Sequence, residues 1–167
     1  MRPGSGTWWA AKVRQLGAHL RARVTDDERR SVAAWTTAAE LAMFDSMHVA
    51  DRRHGLDVVA TLRADGIDDL EVLVAGLLHD AAKGDTGILP RVIHSLGQAW
   101  GGWVPRLARL VPGMGTPLDR LRTHAEESAR LAAAAGCSGR TVELIRWQEA
   151  PRDPEFGERL RLADEAN

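Results

Sequence analysis

Seven consecutive apolar residues, Val72-Leu73-Val74-Ala75-Gly76-Leu77-Leu78, run straight into His79-Asp80-Ala81-Ala82-Lys83. A helix apolar on nearly all sides has no solvent face to offer and belongs in the middle of a bundle. Asp68 and Glu71 stand ahead of the run at capping-box spacing, and Gly84 follows as a stop. The pattern predicts a buried central helix from about Asp69 to Asp80. Its end delivers an imidazole and a carboxylate, side by side, into the interior. Burying such a pair without partners is costly, and a metal ion is the compensation that suits it best.

The other segments read as helices around that one. Residues 7–23 place Trp8, Trp9, Val13, Leu16 and Leu20 among Lys12, Arg14, Arg21 and Arg23, a basic amphipathic helix. Its apolar face suits packing on the domain or on a second subunit, so a homo-oligomer is open; a membrane surface is the lesser reading. Thr25 and Glu28 open a helix read as running to about Phe44, with Trp35, Ala38, Leu41 and Ala42 inward. A third runs from about Met47 to Ala64 and stops at Asp65-Gly66. Pro90 begins a short helix carrying Arg91 and His94. Glycines and prolines between 97 and 117 read as the loosest stretch and a cover for a site, with a short helix from Val104 to Val111. Helices over Leu118–Ala135, Gly139–Glu149 and Glu155–Ala166 complete the chain, with Gly136 as a stop and Ser138 as a cap. No alternating strand pattern of useful length occurs. The expected fold is an all-α, single-domain helical bundle.

Composition bounds the function. With 167 residues and a formal net charge of −1, the chain has one sizeable core and no basic field for nucleic acid. Cys137 is the single cysteine, so no intramolecular disulfide and no cysteine-rich zinc site can form. No apolar run reaches the ~20 residues of a transmembrane helix, and Met1-Arg2-Pro3-Gly4-Ser5-Gly6 lacks signal-peptide character. A cytoplasmic protein is expected.

Five side chains in the proposed core can carry chemistry: His54, His79, Asp80, His124 and Asp164. Neighbours on a helix diverge by about 100°, so His79 and Asp80 share an ion only if it lies beside their helix. Other helices must then supply the remaining ligands. His54 and Asp164 complete a set of two imidazoles and two carboxylates that suits a divalent first-row metal and leaves room for water. Asp51 and Asp57 flank His54 by about one turn each; either is placed to orient its imidazole, with surface solvation the default reading. Trp100, Trp103 and Trp147 are read as core or lid packing in preference to stacking on a base.

The order His54, His79-Asp80, Asp164 resembles the HD-domain superfamily of metal-dependent phosphohydrolases. Phe44-Asp45-Ser46-Met47 leading to Asp51-Arg52-Arg53-His54-Gly55-Leu56-Asp57-Val58 is similar to that family's first ligand helix. Leu77-Leu78-His79-Asp80-Ala81-Ala82-Lys83 is similar to its HD helix, and Leu160-Arg161-Leu162-Ala163-Asp164-Glu165-Ala166 to its closing motif. The resemblance covers residues 44–167 and leaves 1–43 as an N-terminal helical extension packing on the core. It implies a helical bundle whose four ligands hold one divalent ion (Mn, Mg, Fe, Co, Ni or Zn) that activates water against a small phosphate ester, a nucleotide or related metabolite.

By the same resemblance Lys83 stands where many members contact phosphate, whereas the 5′-nucleotidase branch carries glutamate there. His124 resembles the extra histidine of members with two metals. Those members place further histidines where this chain reads Arg146-Trp147-Gln148-Glu149, so one ion is expected and His124 becomes a substrate or general-acid residue. Arg91 and His94 are candidates to bind the anionic substrate. The alternative is a metal-stabilised ligand-binding or regulatory module with little turnover; an adaptor on a membrane surface rests on Trp8 and Trp9 alone.

Overall fold

The computed structural model describes residues 22–84, 86 and 88–167, together with Gly17; for Ile88, Arg91, His94, Ser95, Gln98 and Ala99 it describes the backbone alone. The helix expected over residues 7–23 therefore lies almost wholly outside the described residues, as do the side chains of Arg91 and His94. Among the described residues every regular element is a helix: α1 (Asp26–Ala33), α2 (Ala38–Ser46), α3 (Val49–Ala64), α4 (Leu70–Leu78), α5 (Ile88–Trp100), α6 (Trp103–Ala108), α7 (Gly115–Ala134), α8 (Gly139–Arg146) and α9 (Gly157–Ala166). The chain is an all-α bundle.

The apolar run is its centre. Every residue from Val72 to Leu78 is buried, and α4 packs against α2, α3, α8 and α9. The helix is shorter than expected at both ends. Asp69, not Asp68, supplies the cap, its Oδ1 accepting from the Glu71 amide at 2.9 Å. At the other end His79 is the C-cap residue, and Asp80 lies in a turn closed by Ala81 N–H to Leu78 O and Lys83 N–H to Asp80 O, both 3.0 Å. Gly84 then takes a φ of +59°, where a glycine is at ease.

The single helix expected from Thr25 to Phe44 is two. A first capping box, Thr25 with Glu28, opens α1, and a second, Thr37 with Glu40, opens α2. The second box satisfies the amides at the start of a new helix and re-aims the chain. The inward face changes with it. Val32, Met43 and Phe44 are buried, whereas Ala38 and Ala42 are exposed and Trp35 and Leu41 only half-buried. Val32 and Met43 join α3, α4, α7, α8 and α9 residues in one apolar cluster. Arg29 reaches Asp45 of α2 at 2.9 Å through Nε, and Arg53 of α3 pairs with Glu28, which lashes α1 to the two helices that follow.

The stretch expected to be loose is largely helical. α5 runs through Gly97, α6 is two turns long, and α7 already starts at Gly115. Gly97 lets α6 close on α5, because a Cβ there would stand 2.9 Å from Pro105 Cδ. Trp100 and Trp103 are exposed here, not packed in a core. The third, Trp147, is half-buried and sits under the Arg152 guanidinium, 3.3 Å from the ring centroid. α8 ends at Arg146 and not at Glu149, since Gln148 and Ala150 turn toward Pro151. One arginine, Arg140, clasps this end of the molecule. It holds Asp69 at 3.0 Å and Asp153 at 3.1 Å, joining the start of α4 to the approach to α9.

Candidate metal centre

Two helices cross in main-chain contact at the site. Gly55 of α3 lies so close to α4 that a Cβ on it would stand 2.4 Å from the Leu77 carbonyl oxygen. That approach, open only to glycine, puts the neighbouring His54 beside His79, their ring centroids 5.2 Å apart. α9 packs on α3 and α4 and brings Asp164. Its Oδ1 is 2.7 Å from His54 Nε2 and 3.3 Å from His79 Nε2. Asp80 stands beside this trio: Oδ2 is 3.5 Å from His79 Nε2 and 3.9 Å from His54 Nε2.

The arrangement fits a cation on three counts. One donor atom each from His54, His79 and Asp164 lies within 4.8 Å of the others. Ligands of a tetrahedral ion at ordinary bond lengths sit about 3.4 Å apart, close to the His79–Asp164 and His79–Asp80 separations. Second, His79 Nδ1 is 2.9 Å from the Gly76 carbonyl oxygen. Donation there leaves the lone pair on Nε2, the atom facing the carboxylates, as metal-ligating histidines are usually held. Third, His79 Nε2 and Asp80 Oδ1 are buried side-chain atoms without a hydrogen-bond partner. Natural interiors leave few such atoms without a reason.

The electrostatics point the same way. Burial works against the His79 imidazolium, yet Asp80 and then Asp164 outweigh it and push the pKa up to about 9. Burial also opposes the Asp80 carboxylate, and His79, Lys83, His124 and His54 together hold its pKa well below the usual range. Asp164 is held low too, against its burial, by His79 and His54. Lys83 Nζ donates to Asp80 Oδ2, and its pKa is raised because Asp80 and Asp164 overcome the cost of burial. The centre is a pair of carboxylates that demands positive charge, which a proton on His79 or a cation can supply.

His124 of α7 comes to the same carboxylate from the other side, with Nε2 3.5 Å from Asp80 Oδ1. Its Nδ1 is 2.7 Å from the Leu121 carbonyl oxygen, and burial, the largest influence on it, lowers its pKa. Two residues here carried no role in the sequence reading. Gln148 is buried, with Nε2 3.3 Å from the His79 carbonyl oxygen and 3.4 Å from His124 Nε2. Ser128 Oγ accepts from the Ala82 amide at 3.0 Å and ties the turn after Asp80 to α7. Gln148 is a polar residue beside Trp147 at the end of an amphipathic helix, which was its only signal. Asp51, read as solvated, is buried, and its charge helps raise the Lys83 pKa. Asp57 instead pairs with Arg53 at 2.9 Å. His48 caps α3 through Nδ1, 3.2 Å from the Ala50 amide.

The structure thus brings His54, His79, Asp80, Asp164, Lys83 and His124 into one cluster. Comparison with protein-family models, curated proteins and solved structures finds no match to the chain, so its function has to be read from this cluster and from the order of its residues.

Proposed function

We propose that this chain is an HD-type metal-dependent phosphohydrolase that holds one divalent cation through His54, His79, Asp80 and Asp164. Its substrate class is a small phosphate ester, a nucleotide or related metabolite, and its setting the cytoplasm. The observation that carries the reading is the pair of buried, unpartnered atoms, His79 Nε2 and Asp80 Oδ1, beside His54 and Asp164. The ordered resemblance of the four residues to the HD superfamily supports it. A bound cation supplies Lewis acidity toward a phosphate oxygen and lowers the pKa of water.

The chain's own residues do the rest. Lys83 lies against Asp80 with its side chain 23% exposed, so its ammonium is open to solvent on one side and suited to a phosphate oxygen. His124, with Nδ1 committed to Leu121 O and its pKa lowered, carries a lone pair on Nε2 at neutral pH. In this state it accepts a proton, and it acts as an acid only after gaining one. Gln148 Nε2 stands 3.4 Å from that same His124 Nε2 and orients the ring there.

The test is metal analysis followed by a phosphoester panel with Mn, Mg, Fe, Co, Ni or Zn. About one ion per chain is expected, with turnover of some mono- or diester. Asp80→Ala should lose both tight metal binding and turnover. No ion under any loading condition would sink the reading. A loaded protein that binds a panel compound without hydrolysing it is the metal-stabilised regulatory module instead.

A further inference from the structure

One face of α7 lies along the turn that carries the site. Ser128 Oγ accepts from the Ala82 amide at 3.0 Å, and His124 Nε2 is 3.5 Å from Asp80 Oδ1. Arg120 is the next residue at the same spacing of four, so it shares their face of the helix. Its guanidinium rests on Gly84, where a Cβ would stand 3.1 Å from Nη1 and 3.8 Å from Cζ. Gly84 directly follows Lys83, and its left-handed backbone, at φ +59°, carries no side chain to displace the guanidinium. Ser128 and His124 are buried, whereas Arg120 is exposed and stands at the rim of the cluster.

The charge at that rim is uncommitted. Asp119, beside it in sequence, is taken by Arg109 and by Arg122, the latter at 3.7 Å. The residues one turn away on either side, Thr116, Pro117, Thr123 and His124, include no carboxylate. Among the described residues Arg120 makes no hydrogen bond and no ion pair. Lys83, by contrast, is held by Asp80 inside the cluster. A guanidinium offers phosphate two parallel N–H donors. Four helical residues put Arg120 about 6 Å along α7 from His124, on the outward side. A phosphate lying between the cation and Lys83 therefore leaves Arg120 for the next anionic group along the same ligand. We infer that Arg120 binds the second phosphate of a condensed-phosphate substrate, a nucleoside diphosphate or triphosphate or another diphosphate ester, whose first phosphate lies at the metal centre. The inference rests on the phosphohydrolase reading and narrows its substrate class.

Isothermal titration of the full chain with inorganic phosphate and with pyrophosphate tests it. The protein is loaded with the metal it holds most tightly and kept in a small excess of that ion, with protein-free titrations subtracted. Pyrophosphate should bind more tightly than phosphate on the order of tenfold, the scale of one added hydrogen bond between charged groups. Arg120→Gln should remove that advantage while phosphate and metal affinity stay as in wild type, and Arg120→Lys should keep part of it. Arg122→Gln, at an exposed arginine already paired with Asp119, is the control and should change neither anion. Circular dichroism melts check folding; should Arg120→Gln melt early, Arg120→Lys and its affinity ratio decide. Three results overturn the inference: equal affinity of wild type for the two anions, a preference for pyrophosphate kept in Arg120→Gln, or the same loss in Arg122→Gln. A wild type that holds no metal sinks the metal reading and this inference with it. A loaded wild type whose preference for pyrophosphate depends on Arg120, yet which hydrolyses no phosphoester, upholds the site and ends the hydrolase reading alone.

Discussion

Lys83 and Asp80 make the sharpest contrast between neighbouring side chains. Both are charged and they touch, yet their loss should read differently. Lys83→Ala removes a cation that competes for Asp80 Oδ2, so metal affinity should hold or rise while turnover falls roughly 10²-fold, the scale of one lost contact to developing charge. Isothermal titration with the metal, set beside kcat/KM, separates the two effects; normal turnover would remove Lys83 from the chemistry. Of the site, the ordered acids and imidazoles were legible in sequence because each stands in a distinctive local pattern, His54 on α3, His79 and Asp80 at the end of α4 and Asp164 on α9. Gln148 was not, because its place depends on where the end of α8 meets α4 and α7. Asp51, whose default reading was solvation, was missed for a related reason: a carboxylate one turn before His54 looks like surface until α3 is docked and buries it.

Along single helices, caps and glycines govern. The break between α1 and α2 was present in the sequence as Thr37-Ala38-Ala39-Glu40, but one capping box upstream hid the next. Thr37→Ala should cost about 1 kcal/mol of unfolding free energy in urea titration. Two glycine substitutions should diverge. Gly55→Ala drives a Cβ against the Leu77 carbonyl and should cost about 1–3 kcal/mol, with weakened metal binding because His54 moves with it. Gly139→Ala, in the first turn of α8 with open space around the new Cβ, should leave stability unchanged or raise it by up to about 1 kcal/mol. Equal effects at the two sites would show that α3 and α4 do not cross as described. The all-helical character and the burial of α4 were legible from the apolar run itself. The short helix α6 was legible as Val104–Val111, but the run of α5 through Gly97 and the start of α7 at Gly115 were not, since glycines that usually interrupt a helix here serve close packing and bends between helices.

For the molecule as a whole, the proposed ligand set joins α3, the end of α4 and α9, so metal and fold should rise and fall together. At a free metal concentration one hundred times Kd, stability should gain about 2.7 kcal/mol, and chelation should reverse it in a melting curve. The pH dependence should change sign with the metal. In chelated protein His79, raised to about 9 from its ordinary 6.5, contributes stability that is complete below pH 6.5 and is lost as pH climbs through about 9. In loaded protein the same nitrogen must be free of its proton, so metal binding and the stability it confers should weaken as pH falls. Melting temperatures of both forms across that interval check the crossing. The contact between Gly55 and the Leu77 carbonyl gives this design an evolutionary signature. Because main chain meets main chain there, the spacing of His54 and His79 is inherited through a single small residue. Side chains elsewhere in the core can then drift over generations without unsetting the donors, and selection at this crossing should fall on one codon.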